Sequence, residues 1–431
     1  MDEVYVAPAE RGLWFQQLTA KERSALIATF CGWMLDGLDV MVYSFVLPSL
    51  IMLWHISKGQ AGLLGTSALL MSAVGGWFAG LMADRYGRVR ILQITIVWFA
   101  FFTFLSGFAQ NFGQLFLIRG LQGLGFGGEW AVGSVLIGET VRAEFRGRAV
   151  GTTQGGWSIG WAMAAVFYAI FLRYLPQEIA WRAMFWIGLL PALLAIWIRG
   201  HVSESETFQS RQSSMQQTSS MHFLGIFAPE MLRTTILASL VSLGAQGGYY
   251  ALNTFLPLYL NTRGLSVMKT GGYLLVIIAG SFSGYLTGAH LSDSLGRRWT
   301  LAIFAVGSFV TIACYTIFPI GNLTTLLLGF PLGFFPSGSF SPMGSFFTEL
   351  FPTSLRGSGQ GFAYNLGRGV GSLFPALVGY FSIYLPLGRA IAVFAVLAYV
   401  LMVLSVLLLP ETKGKELVEV DMDAERLSKV D

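Results

Sequence analysis

Twelve times along this chain a run of about 20 mostly apolar residues recurs, the length an α-helix needs to cross the hydrocarbon core of a bilayer. The runs cover 24–51, 60–83, 91–109, 113–138, 149–172, 181–199, 234–260, 270–291, 299–318, 323–347, 358–383 and 388–409. Backbone in hydrocarbon must satisfy its own hydrogen bonds, so segments this long and this apolar are expected as membrane-spanning helices. Composition agrees: of 431 residues 54% are hydrophobic and 12% charged, about half the charge of a soluble domain. The net charge of +4 does not mark a nucleic-acid binder, because the basic residues fall in short clusters between apolar runs. Cys31 and Cys314 both sit in apolar stretches, so no disulfide framework, metal site or redox motif can be built from them. The first apolar run is too long for a signal-peptide core and is expected to remain as a span.

Orientation follows from positive charge. With the N-terminus inside, most of the 27 Lys and Arg residues fall in the terminal segments, the central loop and the even-to-odd loops, the arrangement that the positive-inside preference favours. Both termini are therefore expected in the cytoplasm. The longest polar interval, 200–233, is rich in Ser, Gln and Glu and is expected to be a cytoplasmic linker. This divides the chain into an N-terminal segment 1–23, a six-helix bundle 24–199, the linker, a second bundle 234–409 and a tail 410–431.

The two halves repeat a signature. Asp84-Arg85-Tyr86-Gly87-Arg88-Val89-Arg90 follows the second run and Asp293-Ser294-Leu295-Gly296-Arg297-Arg298 the eighth. After the fourth run Glu139 precedes Arg146-Gly147, and after the tenth Glu349 precedes Arg356-Gly357 with the same spacing. Two loops repeated in register imply two homologous bundles. Gly87 and Gly296 permit a tight turn, and the arginines can reach a carboxylate: Asp84 and Asp293 are candidates, which could pair instead with Arg146 and Arg356. A plain positive-inside loop would need the arginines alone. The added aspartate and glycine point to a gate whose contacts depend on conformational state.

Charges inside spans are costly unless they face protein or water, and so are candidates for function. Asp39 falls roughly 22 Å along the first span and Arg119 roughly 9 Å below the outer face in the fourth, at matching depth. Asp36 lies one turn from Asp39 on the same helix face. A carboxylate that pairs with an arginine when ionised and releases it when protonated is a proton-coupling device; the alternative is a permanent ion pair that fixes packing. Glu129 follows Gly127 and Gly128, and is either a second proton site or a structural carboxylate. Arg368 falls roughly 15 Å along the eleventh span, near mid-depth, with no acid on its own helix. A guanidinium so placed suits a substrate carboxylate, with Tyr364 and Asn365 on its face and Gln246 and Tyr250 near mid-depth on the seventh span. Interhelical hydrogen bonding is the other use of Gln246 and Tyr250.

These features resemble the major facilitator superfamily. Its signature loop stands here as Gly80 to Arg90, with a degenerate copy led by Ala289, and Arg119-Gly120-Leu121-Gln122-Gly123 and Pro410-Glu411-Thr412-Lys413-Gly414 also match. The resemblance implies an all-α integral membrane protein of 12 transmembrane helices in two pseudo-symmetric bundles, working by alternating access in a bacterial-type inner or plasma membrane. Asp36-Gly37-Leu38-Asp39, Gly127-Gly128-Glu129-Trp130, Trp181-Arg182 and Gly361-Phe362-Ala363-Tyr364-Asn365 look like the sialate and monocarboxylate proton symporters. Aromatic-acid and dicarboxylate symporters share parts of the pattern. Residues 200–233 leave no room for the two extra spans of some sialic acid transporters, and Gly151 to Ala165 lacks the proline of drug antiporters, so symport is favoured. A monomer binding a small organic anion, protons and membrane lipid is expected, with no cofactor and no nucleic acid. A receptor that kept the fold without turnover is the competing class. No cluster of nucleophile, base and oxyanion donor suggests an enzyme.

Overall fold

The computed structural model describes residues 14–202, 225–264, 267–318, 321–352 and 355–413. Among these residues the chain is helical throughout, with α1 (Ala20–Trp54), α2 (Lys58–Tyr86), α3 (Arg88–Ser106), α4 (Phe112–Thr140), α5 (Ala143–Tyr174), α6 (Gln177–Trp186) and α7 (Leu190–His201) in the first half. The second half holds α8 (Pro229–Asn253), α9 (Leu256–Thr262), α10 (Val267–Leu295), α11 (Arg297–Ile317), α12 (Asn322–Gly338), α13 (Phe340–Leu350), α14 (Arg356–Gly371), α15 (Leu373–Phe381) and α16 (Leu387–Leu407). The pairs α6–α7, α8–α9, α12–α13 and α14–α15 are each separated by a break of one to three residues. Each predicted span falls on one continuous or briefly broken run.

Local chemistry sets several starts. Thr19 and Glu22 form a capping box at α1, Ser57 and Gln60 another at α2, and Asn111 caps α4; each satisfies amide hydrogens that the first helical turn leaves without a partner. Gly87 and Gly296 join α2 to α3 and α10 to α11 with φ of 102° and 105°, a region closed to residues with a side chain. Arg88 Nη1 donates to the Ala83 carbonyl at 2.8 Å and Arg297 Nη1 to the Ser292 carbonyl at 2.7 Å, so the repeated turn is built the same way in both halves. The end of the molecule bearing these turns is called the arginine face below.

Packing repeats as well. In the first half α2 packs on α4 and α1 on α5; in the second α10 packs on α12 and α8 on α14. The halves meet where α2 lies against α14 and α15, and α5 against α10. Near the opposite face Gly62 abuts the Pro375 backbone, and toward the arginine face Gly151 abuts Ala289, so the contact runs through most of the depth. Large apolar side chains point outward all around, among them Trp77, Phe78, Leu117, Leu193, Leu327 and Leu397, each more than half exposed. A surface of this kind is stable against lipid rather than water. Nine of the helical runs among the described residues are long and apolar enough to cross a membrane. The remaining three, α4, α8–α9 and α14–α15, carry Arg119 and Glu129, Gln246, and Arg368. The protein is an all-α, multi-pass membrane protein.

Candidate functional site

Two groups of polar side chains are buried between the helices. The first surrounds Asp39, which is 3% exposed. Thr103 of α3 donates to Asp39 Oδ1 at 2.6 Å, and the Gln122 amide nitrogen donates to Oδ2. Arg119 Nη1 donates to the other end of the same amide, Gln122 Oε1, at 2.8 Å, and its guanidinium lies 4.7 Å from the centre of the Tyr43 ring. The expected direct pair of Asp39 with Arg119 is therefore corrected. The two reach the same depth, as predicted, but a glutamine stands between them and relays the charge. Gln122 was visible only as part of a family motif, and nothing in the sequence singled out Thr103.

The second group lies closer to the arginine face and joins the halves. Arg368 is 1% exposed; its guanidinium carbon sits 4.6 Å from the Phe126 ring centre and 5.6 Å from that of Tyr364. Its Nε and Nη1 have no hydrogen-bond partner in the protein. Tyr250 of α8 and Asp36 of α1 are its polar neighbours, so the acid missing from its own helix comes from the other half. Asp36 also faces Glu129. Gln246 is committed elsewhere: its amide donates to Ser242 Oγ at 2.8 Å and to the Tyr364 carbonyl at 3.0 Å, and it accepts from the Tyr250 hydroxyl at 3.2 Å. Asn365 donates to the Gly361 carbonyl at 3.0 Å, and its oxygen faces Gly76 of α2. Gln246 thus ties α8 to α14, Asn365 bonds within α14 with its oxygen beside α2, and Tyr364 and Tyr250 flank the guanidinium.

A narrow pocket lies beside these groups, lined by Asp39, Tyr43, Arg119, Gln122, Phe126, Tyr249 and Tyr250 among others. Phe126 separates it from Arg368 and presents one ring to both. Trp157 is buried and donates to the Tyr249 hydroxyl across the halves at 2.7 Å. Tyr249 and Phe126 escaped the sequence reading because apolar and aromatic residues are everywhere in such a chain. A second, smaller pocket lies between α1, α3, α4 and α5 on the arginine side, lined by Thr29, Trp33, Leu92, Glu129, Gly133, Ile137, Val150 and Thr153.

At the arginine face the expected gate residues Asp84, Arg85, Glu139, Arg146 and Arg356 have side chains outside the described residues, as do residues 1–13, 203–224 and 414–431 of the terminal segments and linker. In the second half the side chains of the repeated loop are described. Arg297 bonds Asp293 Oδ1 at 2.9 Å and Glu349 Oε1 at 3.1 Å, and Thr412 Oγ1 donates to Glu349 Oε2 at 2.5 Å. Glu411 accepts from the backbone amides of Arg297 and Arg298, holding the tail against the start of α11. A contact not foreseen ties the first half: Arg142 donates through its backbone amide and its Nε, both at 2.9 Å, to Glu22 Oε1. Burial of Glu22 alone would push its pKa up, but hydrogen bonds from Arg142 and Thr19 outweigh it and hold the carboxyl at about 2.

Two bundles of matching construction, apolar on their outer surface and meeting around buried charges and a pocket inside, define a membrane transporter. The chain belongs to the major facilitator superfamily, whose family model matches residues 29–289 and 285–431. It is 40% identical to a probable 4-methylmuconolactone transporter of Cupriavidus pinatubonensis, over 93% of each chain. It is 31% identical to a cis,cis-muconate transport protein of Acinetobacter baylyi, over 83% of this chain and 87% of that one, and 30% identical to the sialic acid transporter NanX of Escherichia coli, over 91% and 95%. Its fold superposes on the inward-open xylose transporter XylE from E. coli with a TM-score of 0.75 at 19% identity, covering 93% of this chain and 99% of that one.

Proposed function

We propose that this protein is a proton-coupled symporter that takes up a small organic anion, most simply a monocarboxylate, by alternating access, with both termini in the cytoplasm of a bacterial-type inner membrane and the monomer as the working unit. The observation that carries this reading is Arg368, a buried guanidinium at the junction of the halves with two nitrogens free of protein partners. Such a cation is expensive in the empty protein, and a planar carboxylate matches its fork. A neutral sugar would offer these two nitrogens no anionic acceptor. The substrates named for the relatives agree in chemistry: cis,cis-muconate and sialic acid carry carboxylates, and the muconolactone keeps one of the two of its parent diacid. Tyr364 and Tyr250 flank the bound acid, with Gln246 tying the helix that bears Arg368 and Asn365 to α8. Aromatic rings, Phe126 in front, favour unsaturated or aromatic acids within this class. The coupled proton is carried within the group Asp36, Asp39, Glu129 and Arg119, and the arginine loops, with Asp84, Arg85, Gly87, Arg88, Glu139 and Arg146 in one half and Asp293, Gly296, Arg297, Glu349 and Arg356 in the other, gate the cytoplasmic side.

Binding of labelled acids to purified protein tests the assignment. Arg368→Lys keeps the charge but loses the fork, and should weaken binding roughly tenfold or more; Arg368→Ala should abolish it. Near-normal binding in Arg368→Ala, or preference of the wild type for an uncharged analogue, refutes the substrate class. Counterflow into vesicles with and without a pH gradient separates symport from facilitated diffusion.

A further inference from the structure

Two arginines from different helices converge on the end of α16. Arg298, at the start of α11, donates through Nη2 to the Leu407 carbonyl at 2.6 Å, and Arg233, in the second turn of α8, donates through Nη2 to the Leu408 carbonyl at 3.4 Å. Because α16 packs against both α8 and α11, the two guanidiniums reach consecutive carbonyls from its two flanks. Lys413 adds a third cation on the same face, with its Nζ on the Ser294 carbonyl at 2.5 Å.

The carbonyls that end a helix carry partial negative charge and attract cations. Capping accounts for one N–H from each arginine, and a neutral amide side chain would supply as much. It does not account for three full positive charges. Arg298 Nε is buried without a hydrogen-bond partner. Among the described residues no carboxylate pairs with Arg233, Arg298 or Lys413 through their side chains. Glu411 stands among them but accepts from the backbone amides of Arg297, Arg298, Thr412 and Lys413. Glu230, exposed in the first turn of α8, bonds none of the three.

From these cations toward mid-membrane the surface turns apolar on each helix. The Arg298 guanidinium carbon lies 5.7 Å from the centre of the exposed Trp299 ring, and Ile303, a turn further along α11, is exposed as well. Ile236 is exposed a turn beyond Arg233, and Leu404 and Leu408 of α16 are each more than half exposed. Tryptophan beside a guanidinium marks the level where headgroups meet hydrocarbon.

We infer that Arg233, Arg298 and Lys413 form a binding site for the phosphate of an anionic phospholipid in the leaflet at the arginine face, with an acyl chain lying along α16. A free anion would use the cations alone, and so would acidic side chains of the tail such as Glu416 and Glu419. A lipid uses the cations and the apolar strip that runs from them, and basic pockets between membrane helices suit such headgroups.

Protein stripped of lipid in detergent is titrated with dioleoyl phosphatidylglycerol or dioleoyl phosphatidylcholine, and bound lipid is counted by native mass spectrometry. Wild type should hold phosphatidylglycerol at least roughly tenfold more tightly than phosphatidylcholine. Arg233→Gln/Arg298→Gln should lose that preference, and Arg233→Lys/Arg298→Lys should keep most of it. Arg23→Gln/Arg90→Gln, which removes the same charge from exposed positions on this face of the first half, should leave it unchanged. No preference in the wild type, or equal loss in both glutamine pairs, overturns the inference. The comparison of the two lipids needs no variant, so it decides the matter if the double variant does not fold. Glycerol phosphate should not displace the lipid; displacement at equal concentration would assign the site to a free phosphate instead. A chain ending at Lys413 should bind the lipid as the full chain does, and roughly tenfold tighter binding would assign the cations to the acidic tail.

Discussion

Gln122 can be hydrogen-bonded in only one sense. Its amide nitrogen must face Asp39 and its oxygen Arg119, because a carboxylate accepts and a guanidinium donates. Replacing it with leucine leaves both without their shared partner, and Gln122→Leu should lower stability by about 1–3 kcal/mol, measured as a drop in the melting temperature of the purified protein. An unchanged melting temperature would mean that water replaces the amide at no cost. The matching depth of Asp39 and Arg119 could be read from the sequence, since the rise per residue of a helix is fixed. The glutamine between them could not. Its placement depends on how α4 is rotated about its own axis, and a single sequence does not carry that angle. Arg368 was legible for the converse reason: a lone charge in a long apolar run stands out whatever its rotation.

At the scale of elements, the spans were readable because each depends on residues close together in the chain. Thr19 and Glu22 spell a capping box, yet the other partner of Glu22, Arg142, comes from the loop between α4 and α5 and carries no local signal. This contact makes a pH prediction. The Glu22 carboxyl is held at about 2 against an ordinary 4.5, so its stabilising effect is complete above about 4.5 and is lost as pH falls toward 2. Melting temperature followed from pH 6 downward should therefore decline over that window, and Glu22→Gln should be less stable at pH 6 with a shallower decline. Equal slopes for the two proteins would show that the pair contributes nothing. The repeated turns were legible through Gly87 and Gly296, whose positive φ admits little else.

At the scale of the whole molecule, the internal repeat predicted two bundles, and the mirrored packing of α2 on α4 and α10 on α12 answers to it. The bonds between bundles had no signature. Ser158 and Ser281 share a hydrogen bond at 2.8 Å, and Thr66 Oγ1 donates to the Ser372 carbonyl at 2.6 Å. Alternating access requires such contacts to break in turn. Cysteines at both 158 and 281 should form a disulfide on mild oxidation, stop uptake, and recover it on reduction, whereas each single cysteine should transport normally. Uptake that persists with the disulfide formed would exclude separation of α5 from α10 during the cycle. The tail raises a matter of handling. Because Glu411 and Thr412 are fastened to the start of α11 and to Glu349, the last few residues before Lys413 are part of the folded body. A purification handle or fluorescent reporter belongs beyond that lysine, and trimming at Leu409 would strip α11 of its cap while leaving every membrane-spanning helix intact.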